Sequence, residues 1–305
     1  MIYGIIDVGS NTVRLTIYQY ENNELKSLLH KKTMVGLAGY VEKGLMTETG
    51  IEKACKIVAE YKNILRNFSI SNIHVFATAS LRNIVNTDEV VRNIREATGV
   101  HVDVISGEEE ATLDFVGATH ILPITDGLLV DIGGGSTELV SYRNGQLINT
   151  ASMPIGSLSL FTKCVSKLLP KKSEKKIILD EIEQELEKIQ YFKDEKFKVI
   201  CGVGGTIRAT GKLNNDLLNS YTQNTIERDH LDQLLNLLNK RNKETYRRIL
   251  RVVPDRIHTI IPGMLILSAI AKHFNSEVIQ ISNYGVREGY LYSKVLEDGG
   301  NNGKR

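Results

Sequence analysis

The sequence predicts an α/β fold built from two similar domains, on three observations. An apolar strand that ends in an acid and runs into a glycine turn occurs twice, as Gly4-Ile5-Ile6-Asp7-Val8-Gly9-Ser10-Asn11-Thr12 and as Leu128 to Leu139 with Asp131, Gly133, Gly134 and Gly135. Each copy continues through a second strand, a polar turn (Glu21-Asn22-Asn23-Glu24 or Arg143-Asn144-Gly145) and a third strand. The chain has 305 residues, a length that suits two cores better than one. These points argue for an internal duplication, with two glycine turns facing each other across a cleft.

Domain one is expected over residues 1–124. After its three-stranded meander come an amphipathic helix from about Thr47 to Phe68 with Ile51, Ala54, Val58, Tyr61 and Leu65 on one face, a strand at Ile73 to Thr78, and a helix at Thr87 to Thr98. A strand at Val102 to Ile105 and a helix from Glu108 to His120 complete it. Domain two, 125–286, repeats the opening, inserts a charged helix at Lys172 to Tyr191, and resumes with a strand at Phe197 to Cys201. Helices follow through Phe274, then a strand at Val278 to Ile281. A last helix, about 287–298, is expected to pack back on domain one, and the tail 299–305 to be disordered.

Composition excludes more than it selects. Apolar content of 42% and charged content of 24% are ordinary for a globular chain, and a net charge of +2 argues neither for nor against a polyanionic partner. Any anion site must therefore be local. Cys55, Cys164 and Cys201 show no paired spacing, so neither a disulfide framework nor a zinc site is expected. The first strand begins at Ile2, and the longest apolar stretch, Ile257 to Ala271, is interrupted by His258 and Pro262. The expected setting is the cytoplasm, with no membrane and no specific nucleic-acid partner.

The turns carry the chemistry. Glycine lets backbone approach a ligand closely, and successive N–H groups in such a turn form an anion-binding concavity. Gly9, Ser10 and Asn11, and Gly133, Gly134, Gly135, Ser136 and Thr137, are therefore candidate phosphate-binding residues. Gly204, Gly205 and Thr206 sit between a strand and a helix, where their amides would either take a further anion or only make the turn. Asp7 and Asp131 each end a strand; a turn acid bonding its own backbone is the ordinary role. Two carboxylates entering a phosphate site would repel the substrate unless a hard cation lay between them. Mg²⁺, or Mn²⁺ in its place, suits carboxylate, water and phosphate oxygens. Asp131 and Glu138 are expected to hold it, with Asp7 orienting it or its waters. Glu138, inside an apolar strand, needs a metal or basic partner.

Ser106-Gly107-Glu108-Glu109 has capping-box spacing, which gives Glu109 a structural duty and leaves Glu110 free of it. By position alone Glu110 reads either as a solvated acid favoured by the helix dipole or as a functional carboxylate. The basic run Lys240, Arg241, Lys243, Arg247, Arg248, Arg251 and Arg256 is either a solvated face or a track for a long polyanion.

Six stretches, in order, carry a family resemblance: Asp7-Val8-Gly9-Ser10-Asn11, Ala77-Thr78-Ala79-Ser80-Leu81-Arg82 with Asn86, Ile105 to Ala111, Asp131 to Glu138, Gly204-Gly205-Thr206, and Gly285-Val286-Arg287-Glu288-Gly289. From Tyr3 to Tyr292 the chain resembles the exopolyphosphatase / guanosine pentaphosphate phosphatase (Ppx/GppA) family of the actin, Hsp70 and sugar-kinase superfamily. The resemblance implies two actin-like (ribonuclease H-like) domains, each opening with a meander in a mixed sheet flanked by helices, with the active site in the interdomain cleft. It implies removal of the terminal phosphate of polyphosphate, of the 5′ γ-phosphate of pppGpp to give ppGpp, or of both. Glu110 aligns with the family's general base, and Arg82 with a residue near the phosphate chain, where a guanidinium grips phosphate oxygens bidentately. A homodimer is compatible with it.

Two departures qualify the match. Longer relatives add a C-terminal HD-type helical domain, absent from this sequence, and Ser282-Asn283-Tyr284 lacks the acid that some relatives carry after the serine. The rival readings are a superfamily kinase using ATP on a small acceptor and a sensor that binds nucleotide or polyphosphate without turnover.

Overall fold

The computed structural model describes residues 1–122, 125–192, 195–218, 220, 224–240 and 242–297. The chain forms two units, Met1–Ser106 and Gly107–Arg305.

In the first unit, β1 (Ile2–Val8), β2 (Thr12–Glu21) and β3 (Glu24–Met34) make the antiparallel meander. Asn22 and Asn23 both adopt positive φ (53° and 63°), the left-handed pair that matches strand twist in a two-residue hairpin. A small hairpin, β4 (Val41–Glu42) with β5 (Leu45–Met46), precedes α1 (Glu48–Asn67). Thr47 caps α1, its hydroxyl accepting from Gly50 N at 3.3 Å. The apolar stripe Ile51, Ala54, Val58, Tyr61 and Leu65 is buried as its spacing requires. β6 (Ile73–Ala77), α2 (Ala79–Arg82), α3 (Thr87–Thr98) and β7 (Val102–Val104) complete the unit. β6 and β7 add in parallel beyond β1, giving the order β3-β2-β1-β6-β7.

The second unit begins with α4 (Gly107–Thr119) and repeats the pattern with β8 (Gly127–Ile132), β9 (Thr137–Arg143) and β10 (Gln146–Met153). After α5 (Ser157–Cys164) and α6 (Lys172–Glu187) come β11 (Val199–Val203), α7 (Gly204–Leu218), β12 (Thr225–Glu227), α8 (Arg228–Leu238) and α9 (Lys243–Val252). α10 (Ile260–His273), β13 (Val278–Ile281) and α11 (Val286–Tyr290), which continues as π-helical turns through Leu291–Glu297, end it. The order β10-β9-β8-β11-β13-β12 reproduces the first sheet strand for strand, meander then two parallel additions, with β12 as an extra antiparallel edge. The duplication is thus present in the topology.

α10 is the helix around which the second core is built. It is apolar on every side, and its residues from Ile260 to Ser268 are all buried. Pro262 falls in its first turn, where no intrahelical N–H bond is lost, so the proline starts the helix rather than interrupting it. Among the described residues no helix is long and apolar enough to cross a membrane.

The units divide at Ser106/Gly107, so α4 lies in the second and the expected boundary at 124/125 falls beyond it. α4 packs on α11, β9 and β10. The last helix, expected to return to domain one, packs on this same α4. The two backbones touch: a Cβ added at Gly117 would overlap the carbonyl oxygen of Gly285, and one added at Gly289 would overlap that of Leu113. Glu288 Oε2 accepts from Gly285 N at 2.9 Å and holds the start of α11. The tail 299–305 lies outside the described residues.

Candidate active site

The two glycine turns share the same closing bond. Gly9 N donates to Thr12 O at 3.1 Å, and Gly133 N to Ser136 O at 3.0 Å. The carbonyls of each turn are then taken up by amides of a following segment. Val35 N and Gly36 N bond Asn11 O, and Ala38 N bonds Ser10 O; Ser157 N bonds Gly133 O, and Leu158 N and Ser159 N both bond Gly134 O. Gly156 makes this approach possible, since a Cβ there would lie 2.6 Å from Gly134 O and Gly135 N. With the carbonyls committed, the N–H groups of Gly134 and Gly135 have no acceptor among the described residues. Such amides suit an anion.

Beside the turns, the two copies have opposite charge. Asp7 lies opposite Arg14, and Arg14 opposite Lys32, across β1, β2 and β3. Arg14 Nη1 approaches Asp7 Oδ2 at 3.5 Å. At the same points of the second sheet, Asp131 lies opposite Glu138, and Glu138 opposite Ser152, whose hydroxyl donates to Glu138 Oε1 at 3.0 Å. Directly opposed cross-strand side chains stand about 5 Å apart. Two carboxylates at that separation repel by about 3 kcal/mol at an effective dielectric of about 20. Asp7 therefore has a cation within its own sheet, whereas Asp131 and Glu138, both buried, have each other.

α4 brings two more acids to this pair. Glu110, in its first turn, and Asp114, one turn on, are buried, and Asp114 interacts electrostatically with Asp131, Glu110 and Glu138. The Val286 N–H at the start of α11 faces the Asp114 carboxyl, but among the described residues neither Oδ atom has a hydrogen bond of ordinary length and angle. Burial first, then the three neighbouring carboxylates, raises the Asp114 pKa well above its ordinary value and favours the protonated carboxyl. A folded state that keeps a proton the unfolded chain releases loses stability as pH rises above the unfolded pKa. In EDTA, the wild type is expected to lose stability through this group as pH rises above about 4, the ordinary carboxyl value, with a slope of up to about 1.4 kcal/mol per pH unit. Asp114→Asn, which has no proton to release, flattens that decline in thermal melts; parallel declines in the two proteins would refute the assignment.

Gly204 closes the site from the β11 side. Its φ is +85°, and a Cβ there would overlap Asp131 Oδ1. The N-terminal turn of α7 thus lies against the Asp131 carboxylate, and only glycine permits both the backbone conformation and the approach. The donor chemistry fits a hard divalent cation: two buried carboxylates, a serine hydroxyl and the Gly134 and Gly135 amides. Among the described residues no group of three or more His, Cys, Asp or Glu side chains is arranged to hold a metal ion by itself. Mg²⁺ is commonly held through one or two carboxylates, with water and substrate phosphate completing its shell. Asp131 and Glu138 match that use.

The other candidates have defined local roles. Arg82 Nη1 donates to Ile105 O at 3.1 Å, tying the end of α2 to the chain leaving β7. The Thr137 hydroxyl donates to Ile155 O at 2.7 Å, which commits its proton within the protein. Thr206 is buried and meets Arg256 Nη1 at 3.4 Å. Glu109 pairs with Lys294. In the basic run, Arg248 pairs with Glu244 and Arg251 with Asp216, so part of that charge is neutralised locally. Asp114 is the site residue that sequence reasoning did not select. Its only signal is the four-residue spacing from Glu110, which puts both on one helix face.

Fold and site together define a duplicated, actin-like α/β protein with an acid-lined anion site in its second unit. The model of the Ppx/GppA phosphatase family matches residues 16–298, and the chain belongs to that family. A Haemophilus influenzae relative is 25% identical over 303 residues, covering 94% of this chain and 90% of its own length. Exopolyphosphatase 1 of Mycobacterium tuberculosis is 24% identical, with 97% and 88% covered. Among solved structures, the Aquifex aeolicus member of the Ppx/GppA family superposes with a TM-score of 0.78 at 27% identity, covering 98% of each chain. An exopolyphosphatase from Cytophaga hutchinsonii has the same fold, with a TM-score of 0.86, 22% identity and 98% of each chain covered.

Proposed function

We propose that the chain is a metal-assisted phosphohydrolase that removes the terminal phosphate of inorganic polyphosphate, with the 5′ γ-phosphate of pppGpp as the alternative substrate of the same chemistry. The observation that carries this reading is the convergence of Glu110, Asp114, Asp131 and Glu138 beside a glycine turn whose Gly134 and Gly135 amides are available to an anion. The names of relatives, exopolyphosphatase among them, support the polyphosphate choice.

In the proposed reaction the amides of Gly134 and Gly135 bind oxygens of the terminal phosphoryl group, and Ser136 borders them. Glu110 accepts a proton from a water that attacks phosphorus in line, and the shortened polyphosphate leaves. Asp114, whose buried carboxyl is disposed to keep its proton, limits the negative charge of the four-acid cluster. Asp131 and Glu138 would hold Mg²⁺, which when bound neutralises phosphate oxygens and the developing charge. Gly9, Ser10, Asn11 and Arg82 of the first unit offer the same phosphate-binding chemistry. Positioning and electrostatic stabilisation supply most of the rate in a transfer of this kind.

The test is phosphate release from long-chain polyphosphate, short-chain polyphosphate, pppGpp and ATP, with Mg²⁺ and with EDTA. Metal-dependent release from polyphosphate is expected. Release from none of the first three, or release indifferent to EDTA, would overturn the proposal.

A further inference from the structure

Where β8 and β11 begin and β9 ends, at the far end from Asp131 and Glu138, a cavity of about 300 Å³ is lined by Asp126, Gly127, Tyr142, Arg143, Lys196, Phe197, Lys198 and Val199. Gly127 pairs with Tyr142 as Asp131 pairs with Glu138, four residues further along β8 and β9. At about 3.3 Å per residue the two sites are separated by roughly 13 Å of strand. The cavity is therefore distinct from the acid cluster.

Three features make it a built site. Its charged lining is predominantly basic: Arg143, Lys196 and Lys198 against the single acid Asp126. Arg143 is paired with Glu195 at 2.6 Å, and Asp126 accepts from Asn144 N at 3.0 Å, but neither lysine has a partner among the described residues. Tyr142 is fully buried, and its hydroxyl has no hydrogen-bond partner among the described residues. Only glycine fits beside that hydroxyl, because a Cβ at position 127 would stand 2.6 Å from Tyr142 Oη. A buried hydroxyl is normally satisfied. Here the missing partner is an acceptor, and the lysines at the rim call for an anion.

We propose that this cavity is a second, non-catalytic binding site for a compact polyanion, a small molecule bearing phosphate or carboxylate groups. Lys196 and Lys198 bind its charge, and Tyr142 donates to one of its oxygens. Cavities of this volume hold small molecules rather than chains.

The test is calorimetric titration of the full chain in EDTA with pyrophosphate and, separately, with citrate. Wild type, Lys196→Gln/Lys198→Gln and Tyr142→Phe are compared, circular dichroism confirming that each is folded. The double variant is expected to bind at least about tenfold more weakly and Tyr142→Phe about three- to tenfold more weakly, the size of one lost hydrogen bond. Metal-dependent phosphate release by the double variant should stay within about twofold of wild type, as neither lysine belongs to the acid cluster. Loss of pyrophosphate binding alone identifies a phosphate ligand; loss of both probes identifies a site open to carboxylates as well. No wild-type binding up to about 10 mM of either probe overturns the proposal. So does a Tyr142→Phe protein that binds like wild type, which would reduce the effect to diffuse attraction by surface lysines.

Discussion

Glu110→Gln lowers metal-dependent phosphate release by about 10²- to 10⁴-fold, the usual contribution of a positioned general base. The substitution keeps the shape of a side chain that is buried in the first turn of α4, and removes only its ability to take a proton. It also removes one of the charges facing Asp114, so thermal stability in EDTA should hold or rise. Two controls separate a base from an acid that merely helps to hold the metal. The Mg²⁺ concentration for half-maximal activity stays unchanged in Glu110→Gln but rises in Glu138→Gln. Glu109→Gln, which loses the pair with Lys294, stays within a few-fold of wild type. Near-normal turnover by Glu110→Gln would refute the assigned role.

Gly289→Ala is expected to destabilise the second unit by about 3 kcal/mol or more, beyond the usual range for surface changes. The added methyl group would overlap Leu113 O, a backbone atom inside a helix that cannot swing aside as a side chain can. Relief requires α11 to move off α4, which opens the packing that buries Asp114. Activity should therefore fall together with the midpoint of chemical denaturation. A loss under about 1 kcal/mol would show that the helices tolerate separation.

Much of this architecture could be read from local sequence. The meanders, the turns, α3 at Thr87–Thr98 and β13 at Val278–Ile281 follow from period-two or helical spacing and from glycine and asparagine punctuation. The acids at Asp7, Asp131 and Glu138 stand out because they interrupt apolar strands. The allegiance of α4 could not be read in this way. Leu113, Asp114, Phe115, Gly117 and Ala118 are all buried, so the helix has no single apolar stripe to show which partner it serves. The unusual state of Asp114 likewise depends on β8, β9 and α11, none of which is near it in sequence. β12 is three residues long at a sheet edge, and so short a segment reads as loop.

The crossing of α4 and α11 also has a temporal meaning. Leu113 and Gly289 touch across about 175 residues of chain, a loop closure that comes late because its entropy must be met before the contact rewards it. During synthesis the first unit can fold while the second still lacks the helix that packs on α4 and covers Asp114. In refolding, phosphate release should recover with the slow phase, after the sheets have formed. On the proposed reading, hydrolytic competence is then the last property the chain acquires, since a partly made molecule would have its glycine turns before α4 is locked in place.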